Sequence, residues 1–136
     1  MSKKNLPITI GKLYDVLIED LSHDGLGIAR VDGFLLFIKD ALPGERVVAR
    51  VMAAKKNYGH AEALEILKQS DNRIQPPCPS FEQCGGCQIQ HLDYQTQLAF
   101  KRNIVIRNLQ KFAKIENPSV AEVLGMDNPW RYRNKT

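Results

Sequence analysis

Short apolar runs separated by turn-forming residues occupy the first half of the chain. Five of these runs are rich in strand-forming residues, and they cover residues 12–21, 26–31, 34–39, 46–54 and 60–67. In the fourth run Val47, Ala49 and Val51 fall on one face, while Arg46 and Arg50 fall on the other, as in a half-buried strand. Five short strands at this spacing predict a small closed antiparallel barrel, because closure removes the exposed edges of a small sheet.

Turn residues mark the connections between these runs. Asp32-Gly33 joins the second run to the third, and this dipeptide predicts a two-residue hairpin because type I′ turns need positive φ angles. Pro43-Gly44 breaks the chain before the fourth run. Residues 55–59 form a polar stretch before the fifth run, and we expect them to be a loop.

The pattern changes after residue 67. Residues 68–91 contain three prolines and all three cysteines, so we expect a loop-rich segment. From residue 93 to residue 113 the apolar positions follow a helical period, with Asp93 as the predicted N-cap and Pro118 beyond the end. Residues 120–124 are a candidate strand. The predicted divisions are therefore 8–67, 68–91 and 92–136.

Composition and charge narrow the class of protein. The chain has 136 residues and no apolar run long enough to cross a bilayer, and its polar residues 1–5 lack the apolar core expected of a signal peptide. An odd number of cysteines without an export signal argues against a disulfide framework and predicts a reducing, cytoplasmic location. The basic excess is concentrated in residues 101–136, which favours a polyanionic partner such as nucleic acid. The alternative is a solvated basic helix face.

The sharpest motif is Cys78-x5-Cys84-Gly85-Gly86-Cys87. Thiols this close in a reducing compartment usually hold a metal. The Gly-Gly pair favours an iron–sulfur cluster, since it lets the backbone turn tightly and direct N–H groups at sulfur. Structural zinc is the rival, because His91 would complete a Cys3His set. Three idle or buried thiols are the remaining alternative.

Several basic and aromatic side chains are candidates for contact with nucleic acid. Tyr58 is the candidate for base stacking, whereas we expect His60 to be an ordinary surface residue. Phe34 and Phe37 cannot face the same side of one strand, so at least one should belong to the core. The candidate phosphate-binding residues are Arg30, Lys39, Arg46, Arg50, Lys55, Lys56, Arg131, Arg133 and Lys135.

Two stretches of the chain resemble known families. Residues 9–67 resemble a TRAM domain, an OB-like RNA-binding barrel, and the likeness lies in residues 24–30, 34–38 and 41–47. The part that follows resembles the iron–sulfur segment of RNA uracil-C5 methyltransferases of the RumA/TrmA type. That likeness rests on Cys78, Cys84-Gly85-Gly86-Cys87, Gln90-His91, the helix start from Tyr94 to Lys101, and residues 129–135.

The resemblance implies a fold, a cofactor and a partner. It implies a mainly β protein with a five-stranded OB-like antiparallel barrel, a cysteine loop, one helix and the start of an incomplete α/β domain. In this family four cysteines bind a 4Fe–4S cluster, and Cys78, Cys84 and Cys87 match the first three. The fourth cysteine, the S-adenosylmethionine-binding domain, the nucleophilic cysteine and the base would lie beyond Thr136.

We therefore expect this chain to be a monomeric RNA-binding portion of a methyltransferase that is inactive alone. Its RNA is expected to be ribosomal RNA, with transfer RNA as an alternative, and no membrane is expected. Two other functions remain open at this point. One is a freestanding TRAM-type RNA-binding protein, and the other is a zinc-stabilised adaptor that uses His91.

Overall fold

The computed structural model describes residues 6–135, which divide into two compact units that meet in sequence at Leu92 and Asp93. The first unit contains six strands, named β1 (Leu13–Leu17), β2 (Asp20–Leu21), β3 (Gly27–Val31), β4 (Phe34–Lys39), β5 (Arg46–Ala54) and β6 (Tyr58–Lys68). It also contains the short helix α1 (Phe81–Cys84), and the second unit contains the long helix α2 (Tyr94–Lys111). No helix among the described residues combines the length and the apolarity that a bilayer crossing requires.

The strands form one mixed sheet in the order β1-β5-β6-β4-β3-β2. The prediction of a mainly β, OB-like fold is confirmed, with three corrections of detail. The described residues form six strands rather than five, β4 and β6 run parallel while the other pairs are antiparallel, and the sheet does not close as predicted. β4 and β6 run parallel because β5, which lies between them in sequence, runs in the opposite direction to both. In the sheet, β6 then lies between β5 and β4.

The extra strand comes from a bend in the first predicted run. β1 pairs with β5 at one edge of the sheet, and β2 pairs with β3 at the other. Between them the Ile18 N–H donates to the carbonyl oxygen of Glu45 at 2.8 Å, and the Glu19 N–H donates to that of Ile28 at 2.8 Å. The strand ladder is open, but a single segment supplies both of its edges, as in a partly open OB-type barrel.

The core lies on the inner face of this sheet. Alternate residues of β3, β4 and β5 point inward and are fully buried: Ala29, Leu36, Ile38, Val47, Ala49 and Val51. The predicted hairpin is confirmed, since Asp32 and Gly33 have φ angles of 47° and 78°. Phe34 is buried and Phe37 lies on the outer face, as the parity of the strand requires.

Three other predicted segments can be compared with the structure. The predicted loop at residues 55–59 is shorter, because Tyr58 already begins β6. The predicted strand at residues 120–124 is wrong: the Arg102 guanidinium binds the backbone carbonyls of Val120 and Ala121, and this stretch is irregular. The helical region is confirmed as α2, where the Asp93 carboxylate accepts a hydrogen bond from the Thr96 N–H at 3.1 Å and caps the helix.

Candidate nucleic-acid interface and cysteine loop

Three rings cluster on the outer face of the sheet. The ring centroids of Phe37 and Tyr58 are 5.7 Å apart, those of Phe37 and His60 are 5.7 Å apart, and those of Tyr58 and His60 are 5.6 Å apart. Tyr58 stands edge-on to both of the other rings. All three side chains are half-buried, so parts of this aromatic cluster remain open to solvent. Exposed aromatic surface on a sheet is suited to stacking with nucleic acid bases.

Strand register explains why these rings meet. Phe37 is opposite His60 in the parallel pair of β4 and β6, and Leu35 is opposite Tyr58. Tyr58 and His60 are two residues apart, so they lie on the same face of β6. On the other side of β4, Phe37 is opposite Ile28 of β3. The cluster therefore depends on the pairing of two strands that are not neighbours in sequence.

Basic side chains border the aromatic cluster. Lys55 and Lys56 are exposed in the tight turn between β5 and β6, which is closed by a 2.8 Å bond from the Lys55 N–H to the Tyr58 carbonyl. The Lys55 ammonium lies 5.9 Å from the centroid of the Tyr58 ring. Lys39 and Arg30 are exposed on the same outer face, and Arg30 is 3.6 Å from the Glu19 carboxylate. Positive charge beside exposed rings is the arrangement that proteins use for phosphates next to stacked bases.

The two remaining basic candidates of the barrel are held by carboxylate partners more closely than Arg30 is held by Glu19. Arg46 donates two hydrogen bonds to Asp15, at 2.8 and 2.7 Å, and these bonds hold the pKa of Asp15 below its usual range. Arg50 pairs with Glu62. An arginine held in a surface ion pair has less free charge to offer a phosphate. The structure therefore separates Arg46 and Arg50 from the lysines beside the aromatic cluster.

The three C-terminal candidates Arg131, Arg133 and Lys135 belong to the second unit. All three are exposed. Their basic side chains alternate with Trp130 and Tyr132, which are 44% and 65% exposed. At this exposure the Trp130 ring is only partly covered. This short stretch offers both positive charge and aromatic surface, the two chemical features that nucleic acid binding uses.

Residues 73–92, which we call the cysteine loop, close on themselves beside the barrel. Arg73 and Leu92 form an antiparallel bridge at the base, and the Ile74 N–H donates to the His91 carbonyl at 2.9 Å. Further along, the Cys78 N–H donates to the side-chain oxygen of Gln90 at 3.1 Å. The cysteines therefore lie in the outer part of a loop whose two arms are tied together.

An ion pair between the half-buried Arg73 and the buried Glu45 fastens the base of this loop to the barrel. Arg73 donates to both carboxylate oxygens of Glu45, at 2.7 and 2.9 Å, and also to the Asp40 carbonyl at 2.8 Å. Glu45 is fully buried and also accepts from the N–H groups of Leu42 and Ser70. Burial alone would raise the pKa of Glu45, but the bonds from Arg73, Leu42 and Ser70 together hold that pKa below its usual range.

The turn before β3 makes a second contact with the cysteine loop. Gly25 has a φ angle of 81°, and a Cβ atom placed on it would lie 2.9 Å from Cβ of Gln88 and 2.9 Å from Cγ2 of Ile89. Only glycine fits this close approach without displacement of its neighbours. The return arm of the loop is therefore packed directly on the barrel.

All three cysteines are free thiols. Cys78 is half-buried, and Cys84 and Cys87 are exposed. Thiolates are the donors that iron–sulfur clusters use, so the chemistry of this set suits the predicted cofactor. The geometry is less complete, because residues 6–135 contain no group of three or more His, Cys, Asp or Glu side chains arranged around one metal position. The structure thus does not bring the three cysteines together, and the cluster remains a prediction.

His91 lies apart from any such metal-binding group. Its side chain is only 2% exposed, and its ring packs 5.3 Å from that of Phe81. Burial, together with the charge of nearby Arg73, lowers the pKa of His91. The structure gives no support to the predicted Cys3His zinc set.

Sequence reasoning missed two parts of this site. His60 was expected to be an ordinary surface residue, but it is the third member of the aromatic cluster. The only signal was its spacing of two residues from Tyr58. The Glu45–Arg73 pair was also missed, since its members are 28 residues apart and nothing in the chain marks them as partners.

Comparison with known proteins agrees with this architecture. Residues 7–64 match the family model of the TRAM domain. An RNA methyltransferase of Halalkalibacterium halodurans, described as uncharacterised, is 48% identical over 99% of this chain and 30% of its own length. A similar protein of Listeria monocytogenes is 49% identical over 90% of this chain and 27% of its own length. The chain thus spans about three tenths of these curated relatives.

One solved structure supports the same placement. It is the tRNA (uracil-54, C5)-methyltransferase of Pyrococcus abyssi in complex with S-adenosyl-L-homocysteine, which is 31% identical with a TM-score of 0.51. The match covers 70% of this chain and 21% of that one. Residues 7–64 are therefore similar to a TRAM domain, and the chain is similar to one part of the RNA methyltransferases that it matches.

Proposed function

We propose that this chain is the RNA-holding N-terminal portion of an S-adenosylmethionine-dependent RNA uracil-C5 methyltransferase. The observation that carries the proposal is the aromatic cluster of Phe37, Tyr58 and His60, bordered by Lys55 and Lys56 on the outer face of a TRAM barrel. Exposed rings accept unstacked bases of any sequence, and lysines beside them neutralise the backbone. This combination favours single-stranded or looped RNA over regular duplex.

Salt dependence provides the first test of the phosphate contacts. Each phosphate contact on a single strand contributes about 0.7 to the slope of log affinity against log salt, through counterion release. Lys55→Ala combined with Lys56→Ala should therefore flatten the slope by about 1.4. The matched control is Lys111→Ala with Lys114→Ala, which removes the same charge from the second unit. Equal losses in the two double variants would show that only net charge matters.

Ring removal tests the stacking surface. Tyr58→Leu should weaken binding to an unstructured RNA oligonucleotide by about 1–3 kcal/mol, because a stacked base loses its aromatic partner. Phe37→Leu should have a smaller effect, because the Tyr58 ring would still be present to stack with a base. Binding is measured by fluorescence anisotropy at fixed salt. Tyr14→Leu is the control for an aromatic residue outside the cluster. Unchanged affinity in Tyr58→Leu would overturn the assignment of this face.

The RNA class that we propose is ribosomal RNA, with transfer RNA as the alternative. The Pyrococcus abyssi relative is named for action on a tRNA, so both classes must be compared directly. Affinities for a ribosomal RNA stem-loop and for an unmodified tRNA should be measured at the same salt concentration. A preference of about tenfold or more for the tRNA would replace the ribosomal assignment.

We further propose that Cys78, Cys84 and Cys87 supply three ligands to a 4Fe–4S cluster. A bound cluster would cross-link the outer part of the cysteine loop. Anaerobically purified protein should be analysed by its visible absorption spectrum and by counting iron and zinc in one sample. A longer polypeptide that includes the region downstream of Thr136 in the relatives should hold about four irons per chain. Zinc bound in place of iron, and lost in His91→Ala, would contradict this proposal.

A further inference from the structure

The strand β6 is longer than its partner β4. The two strands pair from Leu35–Tyr58 to Lys39–Glu62, and β4 ends there. Asp40, the next residue, has a φ angle of 61° and turns the chain away from β6. Beyond Glu62, within the described part of the chain, β6 pairs only with β5. Residues 63–68 therefore have one free edge, although the first half of the same strand is interior to the sheet.

A cavity of about 490 Å³ is lined both by this free edge and by Asp40, the residue at which β4 has ended. The free edge forms one wall through residues 63–66, and Asp40 lies at the end where β4 stops. The cysteine loop also lines the cavity, through Ile74, Phe81 and His91. An unpaired strand edge beside such a slot is a template for the addition of another strand.

The side chains along this edge are unusually apolar for a solvated strand. Leu64 is 50% exposed, Ile66 is 37% exposed and Leu67 is 45% exposed. Across the cavity, Ile74 is 41% exposed. Successive residues of a strand point to opposite faces, so a run of exposed residues means that neither face is covered here. Grouped exposed apolar residues of this kind mark binding surfaces.

The charge around the cavity is negative. Asp40, Glu65 and Glu82 line it and are exposed. Arg73 also lines it, but its guanidinium is held by both oxygens of the Glu45 carboxylate. These carboxylates would repel phosphates, so the slot is unsuited to RNA and suited to a basic ligand.

A buried polar group in the wall still lacks a partner. His91 is 2% exposed, and neither ring nitrogen has a hydrogen-bonding partner among the described residues. A buried imidazole in this state loses solvation without compensation. A peptide bond or a polar side chain inserted in the adjoining slot would supply a partner after a small ring movement.

We propose that residues 63–66 of β6 form a docking site for an extended, basic segment of a partner protein, which adds as a strand along the free edge. Backbone hydrogen bonds to β6 would hold the segment. Its apolar side chains would cover Leu64, Ile66 and Ile74, and its basic side chains would meet Asp40 and Glu65. The site lies beyond Glu62, while the RNA-binding rings proposed above lie before it, so the two sites are independent.

The test uses the full chain and a defined probe. The probe is a synthetic peptide about six residues long, of alternating lysine and valine, which spans roughly 20 Å when extended. Binding should slow amide hydrogen exchange at residues 63–66. Glu65→Lys with Glu82→Lys should weaken binding about tenfold or more, because attraction becomes repulsion. Glu116→Lys, which changes an exposed charge in the second unit, should leave it unchanged.

A second peptide separates strand addition from simple charge attraction. N-methylation of alternate peptide bonds removes backbone donors but keeps every charge, so this peptide should bind about tenfold or more weakly. Equal binding by the two peptides would overturn the proposal. Protection of residues 63–66 in the free protein that increases with protein concentration would also overturn it, because a second copy of the chain would then be the occupant.

Discussion

The two units of the chain differ in how much of their apolar surface they cover themselves. In the first unit Leu36, Ile38, Val47 and Val51 are fully buried by neighbouring strands. In the second unit α2 has 18 residues and none of them is buried. Leu124 and Phe112 of that unit are 98% and 73% exposed. The barrel therefore contains its own core, whereas α2 and the segment after it do not.

The difference follows from the geometry of the two kinds of element. Paired strands satisfy each other's backbone groups and place alternate side chains on one inner face, so six short strands can enclose a core. A single helix satisfies its own backbone but buries nothing unless another element packs on its apolar stripe. Stability should accordingly reside in the first unit, and substitutions in the second should leave the barrel unaffected.

The largest effect is expected at the ion pair between the barrel and the cysteine loop. Arg73→Met should lower the free energy of unfolding by about 3–5 kcal/mol, because it leaves the Glu45 carboxylate buried without its partner. The matched control is Arg50→Met, which breaks an exposed pair with Glu62 and should cost about 0–1 kcal/mol. Urea unfolding measures both. A small loss in Arg73→Met would mean that the cysteine loop is not part of the stable unit.

The same carboxylate predicts a pH dependence. The pKa of Glu45 is lower in the folded protein than its ordinary value, so its stabilising effect is complete above the ordinary carboxylate range. This contribution to the free energy of unfolding is lost as the pH falls through the pKa that Glu45 has in the folded protein, because protonation of Glu45 breaks its ion pair with Arg73. Unfolding free energies measured from neutral to acid pH should fall less steeply in Arg73→Met with Glu45→Gln than in the parent. Identical slopes would contradict this account.

The third prediction tests the comparison between the units directly. Leu36→Ala should destabilise the barrel by about 2–5 kcal/mol, since it leaves a cavity in a closed core. Leu124→Ala should change stability by no more than about 0.5 kcal/mol, because that side chain is 98% exposed. Thermal unfolding followed by circular dichroism gives both values. A cost for Leu124→Ala close to that for Leu36→Ala would show that the second unit has a core of its own.

Local patterns in the sequence predicted most of the barrel. The alternation of Val47, Ala49 and Val51 gave the inner face of β5, and Asp32-Gly33 gave the hairpin. Both features depend on residues that are neighbours in the chain. The parallel pairing of β4 with β6 could not be predicted in this way, because it depends on which distant strands lie side by side.

In the candidate site, too, local features could be predicted from the sequence and contacts between distant residues could not. The sequence identified Tyr58 as the stacking candidate, but its contacts with Phe37 and His60 follow from the non-local pairing. The bend that splits residues 12–21 into two strands also has no local marker. The cysteine motif was evident from its spacing, but spacing does not determine how near the three sulfur atoms lie in the folded loop.

Two glycines with similar φ angles, Gly25 and Gly33, allow the packing of the cysteine loop on the barrel to be measured separately from backbone strain. Gly25→Ala should cost about 1–3 kcal/mol, because the new Cβ meets Gln88 and Ile89 in a left-handed conformation. Gly33 has a similar φ angle of 78° but open space around it, so Gly33→Ala carries only the backbone strain. Urea unfolding of both variants gives the difference, which reports the packing of the loop on the barrel. Equal losses of unfolding free energy in Gly25→Ala and Gly33→Ala would contradict the packing of the cysteine loop against the turn at Gly25.

The smallest expected effect concerns the cap of α2. Asp93→Ala removes the acceptor for the Thr96 N–H and should destabilise this helix by about 1 kcal/mol. Because α2 buries no residue, that loss should appear as reduced helical circular dichroism at moderate temperature, while the main unfolding transition of the barrel keeps its midpoint. Asp127→Ala, an exposed acid of the same unit outside the helix, is the control. A shift of the barrel midpoint in Asp93→Ala would show that the two units unfold together, and the contrast between them would then be one of packing alone.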